Sequence, residues 1–333
     1  MAETQGPSTS KQLWAKDAWY SALRGTFFWK FFNRRPDDKN SVVFYTEDLR
    51  RDKGGTYNIS LMTPLVGEGV EDDAVLESNE EALIYYDMSM SLKEYAHAVR
   101  LKGRLAEQKA AVNMRKDAKQ ALSDWLMRKV DKTFVEALSA NPSTNRVLYG
   151  GDATSDATID SSDTFATSLI SKAKRKAQLA TLGSNNAEAK IRPLRIDGQD
   201  HYICLVHPYQ AKALKAEAAW QQAQREANVR GDKNPIFSGA LGIWDGVVIY
   251  EYERIKTYST WGSNGTLTGA RALFLGAQAA ALAVAKGPTW DEKEFDYGRK
   301  AGFAISVIAA IAKPVFNSED YAVIALDTYI AVD

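Results

Sequence analysis

The chain has 333 residues, 45% of them apolar, which is enough for a substantial core and for two domains. Its 42 basic and 42 acidic residues cancel, which argues against a dedicated nucleic-acid-binding domain, since such domains are usually basic. A single cysteine, Cys204, excludes an internal disulfide and fits a reducing compartment, while 8 Trp and 15 Tyr point to large packed surfaces or interfaces.

The first ten residues read as a flexible, polar tail without a signal-peptide pattern. Residues 11–35 carry Leu13, Trp14, Trp19, Tyr20, Leu23, Phe27, Phe28, Trp29, Phe31 and Phe32. So aromatic a segment needs a surface, and an arm packed on its own body or on a neighbouring subunit is favoured over a membrane-surface helix. Residues 41–90 look extended. Val42 to Tyr45 is a β-rich run, Gly54-Gly55 marks a turn, and Thr56 to Thr63 alternates in the period of a strand. Pro64, Gly67 and Gly69 break that run, Glu71-Asp72-Asp73 is an acidic turn, and Leu83 to Tyr86 is a further strand candidate. A long two-stranded excursion with glycine-rich tips has no local core, so it makes sense if another chain covers it.

Ser91-x-x-Glu94 has the form of a capping box, which predicts a helix from Leu92. A longer helix is predicted over 104–140. Its apolar residues recur every three or four positions from Ala118 through Leu122, Leu126, Val130, Phe134 and Leu138, and Asn141-Pro142 ends it. Such a helix would run ~55 Å, suiting the spine of an extended, plate-like molecule. Residues 142–163 form a loop with Asp152, Asp156, Asp160 and Asp163. The spacing is not that of a calcium loop, so it reads as a polar surface loop. A second helix is predicted over 164–182, with Lys172, Lys174, Arg175 and Lys176 on a solvated face. Strands are expected over 190–208 with a turn at Asp197-Gly198, a short helix over 209–228, a loop from Asn234-Pro235, and strands over 247–255, 304–311 and 321–330. The fold class is therefore α+β, with strands around two main helices and no βαβ alternation.

No motif for catalysis or metal binding survives inspection. His201-x-x-Cys204-x-x-His207 has metal-ligand residue types, but on a strand Cys204 faces away from both histidines, which lie ~20 Å apart. Ser238 lacks the glycine that a nucleophile elbow needs before it, and Gly262, Gly265 and Gly269 lack dinucleotide spacing. The expectation is no catalytic residue, no cofactor and no metal, hence no enzyme.

The C-terminal third does carry a recognisable series. The run from Asn234 through Gly239, Trp244 and Gly246 to Glu251 resembles the major capsid proteins of tailed phages, in particular the coliphage N-four branch. Leu273 to Ala279, Phe295-Asp296-Tyr297-Gly298 and Lys313 to Asn317 continue it, and His97 to Arg100 and Ala121 to Leu126 extend it upstream, so that it spans roughly 40–330. That resemblance implies a Hong Kong 97-type fold. The implied parts are an N-terminal arm over 1–40, an extended hairpin loop over 41–84, and a peripheral domain over 85–189 with the spine helix at 104–140. An axial domain would follow over 190–290, and strands over 291–333 would return to the peripheral domain.

The function so implied is a structural shell subunit, made in the host cytoplasm and residing in the virion. It would assemble with itself into hexamers and pentamers around double-stranded DNA, held non-specifically. Scaffold, portal and decoration proteins are further implied partners, and a membrane is not. The covalent cross-linking of some relatives needs a Lys, an Asn and a catalytic Glu that find no match here. Lys53 near the hairpin tip reads as a surface lysine. Two other readings compete: the shell of a bacterial encapsulin-type nanocompartment, which would hold cargo protein, and a soluble α+β enzyme or binding protein, which would have a polar-lined pocket.

Overall fold

The computed structural model describes residues 8–32, 39–47, 55–63, 65, 67, 69–72, 75, 77, 79–103, 113–179, 190–196, 198–228 and 240–332. In chain order the elements are α1 (Ser8–Gly25), a 3-10 turn (Phe27–Phe31), β1 (Val43–Thr46), β2 (Thr56–Met62), β3 (Tyr85–Ser91), β4 (Lys93–Arg100), α2 (Met114–Ser139), β5 (Val147–Tyr149), α3 (Thr167–Gln178), β6 (Leu194–Ile196), β7 (Gln199–Val206), α4 (Pro208–Ala216), α5 (Ala218–Asn228), β8 (Gly242–Trp244), β9 (Val247–Glu251), β10 (Thr257–Trp261), β11 (Leu267–Leu275), β12 (Ala280–Phe295), β13 (Lys300–Ala312), β14 (Val315–Phe316), β15 (Glu319–Asp320) and β16 (Val323–Tyr329).

Two sheets organise them. One has four strands in the order β1-β12-β13-β4, and the other runs β5-β16-β11-β7-β9-β8 with β10 and β6 added at β11 and β7. Helix α2 lies on the first. Its buried residues Ala118, Leu122, Leu126, Val130, Phe134 and Leu138 fall every three or four positions, so they share one face. Helix α1 joins it with Ala15, Ala18, Trp19, Ala22 and Leu23, spaced the same way. The aromatic N-terminal segment thus packs on its own body. Phe28 stacks on Phe134 at 5.0 Å and Phe27 on Tyr252 at 4.2 Å, just beyond β9, so this segment touches both halves of the molecule.

Several sequence expectations are corrected, the first being the flexible tail over 1–10, since α1 already begins at Ser8. Helix α2 has 26 residues, about 39 Å, and begins at Met114. Asn113 is extended and its side chain caps the Lys116 N–H at 3.2 Å, so a continuous helix over 104–140 does not form, and residues 104–112 lie outside the described ones. No helix starts at Leu92: β3 and β4 lie there, and β4 pairs with β13 from Gly302↔Arg100 to Ala309↔Lys93. The span 209–228 divides into two helices at Glu217. Its carboxylate accepts from the Thr167 N–H at 2.8 Å and the Thr167 hydroxyl at 2.7 Å, which caps α3. There is also one crossover of the βαβ kind, since β7 and β9 pair in parallel with α4 and α5 between them.

Sheet membership cuts across the boundaries expected from sequence. Strand β1 pairs in parallel with β12, so the free hairpin is β2–β3 over 56–91, with Thr56 opposite Ser91 and Met62 opposite Tyr85. Within 291–333, β13 joins the four-stranded sheet but β16 pairs with β11 in the other. From the 85–189 block, β5 also belongs to that second sheet.

The chain crosses between sheets at Gly276–Ala279, where the Leu273–Ala279 motif lies. A side chain at Gly276 would meet the Arg192 carbonyl at 2.8 Å, while Gln278 takes a φ of 60° and donates its N–H to the Ser41 carbonyl at 2.7 Å. At Gly276 the crossing leaves no room for a side chain.

Candidate assembly surfaces

Several of the described residues inspected for chemistry make local structural contacts. His201 faces the Gly246 carbonyl at 3.2 Å through Nδ1, and His207 caps α4, its Nδ1 accepting the Tyr209 N–H at 3.3 Å. Cys204 is buried between them, and burial pushes its thiol well above the usual range, so it is no nucleophile. Gly262 and Gly265 have φ of 84° and 62° and turn the chain from β10 to β11, while Gly269 makes room for the Trp261 ring. On α3, Lys174 pairs with Asp245 at 2.7 Å. Lys53 and Ser238 lie outside the described residues. Asp152, Asp160 and Asp163 do come together, with ligand oxygens within 4.8 Å of one another, whereas Asp156 lies beside Tyr149 and Asp327.

Sequence reasoning missed the ionic clamp at the C-terminal end of α2. Arg271 on β11 holds Asp327 on β16 through two bonds of 2.7 and 2.6 Å and reaches the Ser139 carbonyl at 3.1 Å. Lys313, just after β13, binds Asp320 at 2.7 Å and the Ala140 carbonyl at 2.9 Å. Both cations answer carbonyls that the last helical turn leaves unpaired. One comes from each sheet, so the helix end is fastened to both. Burial pushes the Asp327 carboxyl up to about 6, against the pull of Arg271. Only the apolar setting of these charges hinted at the clamp: Arg271 and Asp327 sit inside runs of Ala, Leu, Ile and Val.

Among the described residues, two hairpins leave large apolar or aromatic side chains open. In β2–β3 one face rests on the body. Met90 packs with Ala281, Ala283 and Ala310, and Met88 Sδ accepts the Val315 N–H at 3.3 Å. Towards the tip, Met62, Leu65, Val75, Leu83, Ile84 and Tyr85 are exposed. The sequence between 63 and 84 contains Glu68, Glu71, Asp72, Asp73, Glu77, Glu80 and Glu81 and no Lys or Arg. The second hairpin is β12–β13. It turns through Asp296, Tyr297 and Gly298, with φ of 55°, 51° and 76°, and Tyr297 stands fully exposed at its end. A fully exposed tyrosine in a left-handed conformation contributes nothing to its own fold and is well suited to a contact. The signal for it was the Asp-Tyr-Gly turn between two charged stretches. No described helix is long and apolar enough to cross a membrane.

A family model described as phage capsid protein matches residues 6–332. The major capsid protein of Pseudomonas phage KPP25 is 32% identical, over 96% of this chain and 95% of that protein. The capsid of Ralstonia phage GP4 superposes with a TM-score of 0.83 at 28% identity, covering 92% of each chain. The capsid of cyanophage Pam1 shares the fold, with a TM-score of 0.77 at 21% identity over 93% of this chain and 94% of that one. With its Hong Kong 97-type fold and its open hairpins, this chain belongs to the phage capsid protein family, and it is a structural subunit of a capsid shell, not an enzyme.

Proposed function

We propose that the chain assembles into hexamers and pentamers that close into an icosahedral shell around a double-stranded DNA genome. The observation that carries this reading is the β2–β3 hairpin, whose apolar tip finds no cover on its own body. In a ring of identical subunits each hairpin lies on the next subunit, and the ring closes when the rotation does. The acidic tip has a complement on the same molecule: the outer side of α2 presents Lys116, Lys119, Arg128, Lys129 and Lys132. The four-stranded sheet with α1 and α2 is the peripheral domain of this reading, and the eight-stranded sheet with α3, α4 and α5 is the axial domain. A net charge of zero suits a shell that holds DNA without binding it tightly.

The finer attribution to the coliphage N-four branch rests on the motifs at 234–251 and 273–279. Synthesis in the host cytoplasm and contacts with portal, scaffold and decoration proteins go with the same reading. Size exclusion of the chain expressed alone, with negative-stain microscopy of each peak, tests it. Rings, tubes or shells are expected. A monomer that forms no assembly, with or without co-expressed scaffold, would overturn it.

A further inference from the structure

The loop between β5 and α3 holds three carboxylates in one place. Ligand oxygens of Asp152, Asp160 and Asp163 lie within 4.8 Å of one another. No lysine, arginine or histidine pairs with any of the three among the described residues. Like charges at this spacing repel, so the arrangement calls for a positive charge between them.

Asp163 makes the case specific. It is 0% exposed. Its Oδ2 accepts the Asp160 N–H at 2.7 Å, but its Oδ1 is buried with no hydrogen-bond partner. That oxygen is turned to Gly151, beside Asp152, so closely that any Cβ at Gly151 would collide with it. Gly151 has a φ of 51°, and at Gly150 a Cβ would meet the Asp163 carbonyl at 2.6 Å. Gly151 thus admits a carboxylate oxygen that the protein itself leaves unanswered, and Gly150 admits the Asp163 backbone carbonyl. A buried, unanswered carboxylate oxygen is costly, and a ligand removes the cost.

We propose that Asp152, Asp160 and Asp163 form a binding site for a hard divalent cation of the calcium class. All donors are oxygens, without the imidazole or thiolate that would favour zinc or copper. Asp160 and Asp152 are exposed, which leaves room for the waters that complete such a shell. Asp160 is prepared for the role. Its Oδ1 accepts the Ser162 hydroxyl at 2.6 Å and the Ser162 N–H at 2.7 Å, and these bonds fix the orientation of its carboxylate.

The site would also have a mechanical effect. The Asp163 carbonyl accepts the Tyr329 N–H at 2.9 Å, and Gly150 donates to the Asp327 carbonyl at 3.0 Å. A cation joining 152, 160 and 163 therefore ties the loop to β16, the last strand of the eight-stranded sheet. The site lies within one subunit, so it does not depend on the assembly reading.

The test is calorimetric titration of the full-length chain, stripped with chelator, using calcium chloride and then magnesium chloride, with thermal unfolding in calcium and in chelator. One saturable calcium site, weaker magnesium binding and a rise in Tm with calcium are expected. Asp152→Asn, at an exposed position that the fold does not need, is expected to weaken calcium binding at least about tenfold and to remove the Tm response. Asp163→Asn is expected to do the same and, by relieving the buried charge, to unfold no earlier than the wild-type chain does in chelator. No saturable calcium binding, or unchanged binding by Asp152→Asn, would overturn the proposal. Tighter binding of magnesium than of calcium would overturn the assigned class.

Discussion

Two β-structures in this molecule bury their apolar residues in opposite ways. In the eight-stranded sheet, β11 is buried from Gly269 to Leu275 and β16 from Val323 to Thr328, with strands on both edges and helices against the sheet. Within strands β2 and β3 themselves only Met90 is buried, and each strand pairs only with the other. The sheet satisfies itself within one chain. A two-stranded ribbon is marginal by itself, and this one continues into an apolar tip. If the hairpin serves assembly as proposed, subunit stability and shell assembly reside in different residues, and changes in the two regions should separate them.

The largest separation is expected from removing the tip. Replacing residues 64–83 with two glycines spares β1, which is part of the four-stranded sheet. Particles should be lost entirely while the Tm of the subunit stays within a few degrees, as read by microscopy and calorimetry. Normal particles from this variant would detach the hairpin from assembly. The converse change is Asp327→Ala, which leaves Arg271 buried without its partner. It should cost roughly 3–5 kcal/mol of subunit stability by denaturant titration. Leu273→Ala on β11, 0% exposed, should cost roughly 2–5 kcal/mol by the same measurement. Smallest for the subunit is Tyr297→Ser at the tip of β12–β13, expected within about 0.5 kcal/mol of wild type. Its effect should appear in particle yield instead, and unchanged yield would remove that hairpin from the contact set.

The same contrast explains what could be read from sequence. The buried halves were legible where one face is repeated: α2 from Ala118 on, and the strands after 247, 304 and 321, whose apolar runs are set by their own packing. Motifs at 273–279 and 313–317 were legible through the family resemblance, and Gly276 shows a packing reason for one of their residues. Other features depend on distant partners. Glu217 ends α4 because its carboxylate serves Thr167, 50 positions away, and local helix preference through Ala and Gln says nothing of that. Lys93–Arg100 carried a helix-start signature, yet Tyr95 and Val99 alternate as in a strand, and pairing with β13 prevailed. The three aspartates have no recognisable spacing, since folding alone brings Asp152 to Asp163. The exposed hairpins were legible mainly as a lack, a long excursion without a core.

The central claim is that the β2–β3 tip belongs to the surface of a neighbour. Particles assembled from an equal mixture of light and heavy-isotope subunits, coupled with a carbodiimide and read by mass spectrometry, address it directly. Acidic residues between 68 and 81 should join lysines of α2 such as Lys116, Lys119, Lys129 and Lys132, and half of those links should pair a light with a heavy chain. Links from the tip that never mix isotopes would mean that the hairpin folds on its own subunit, and would contradict the account.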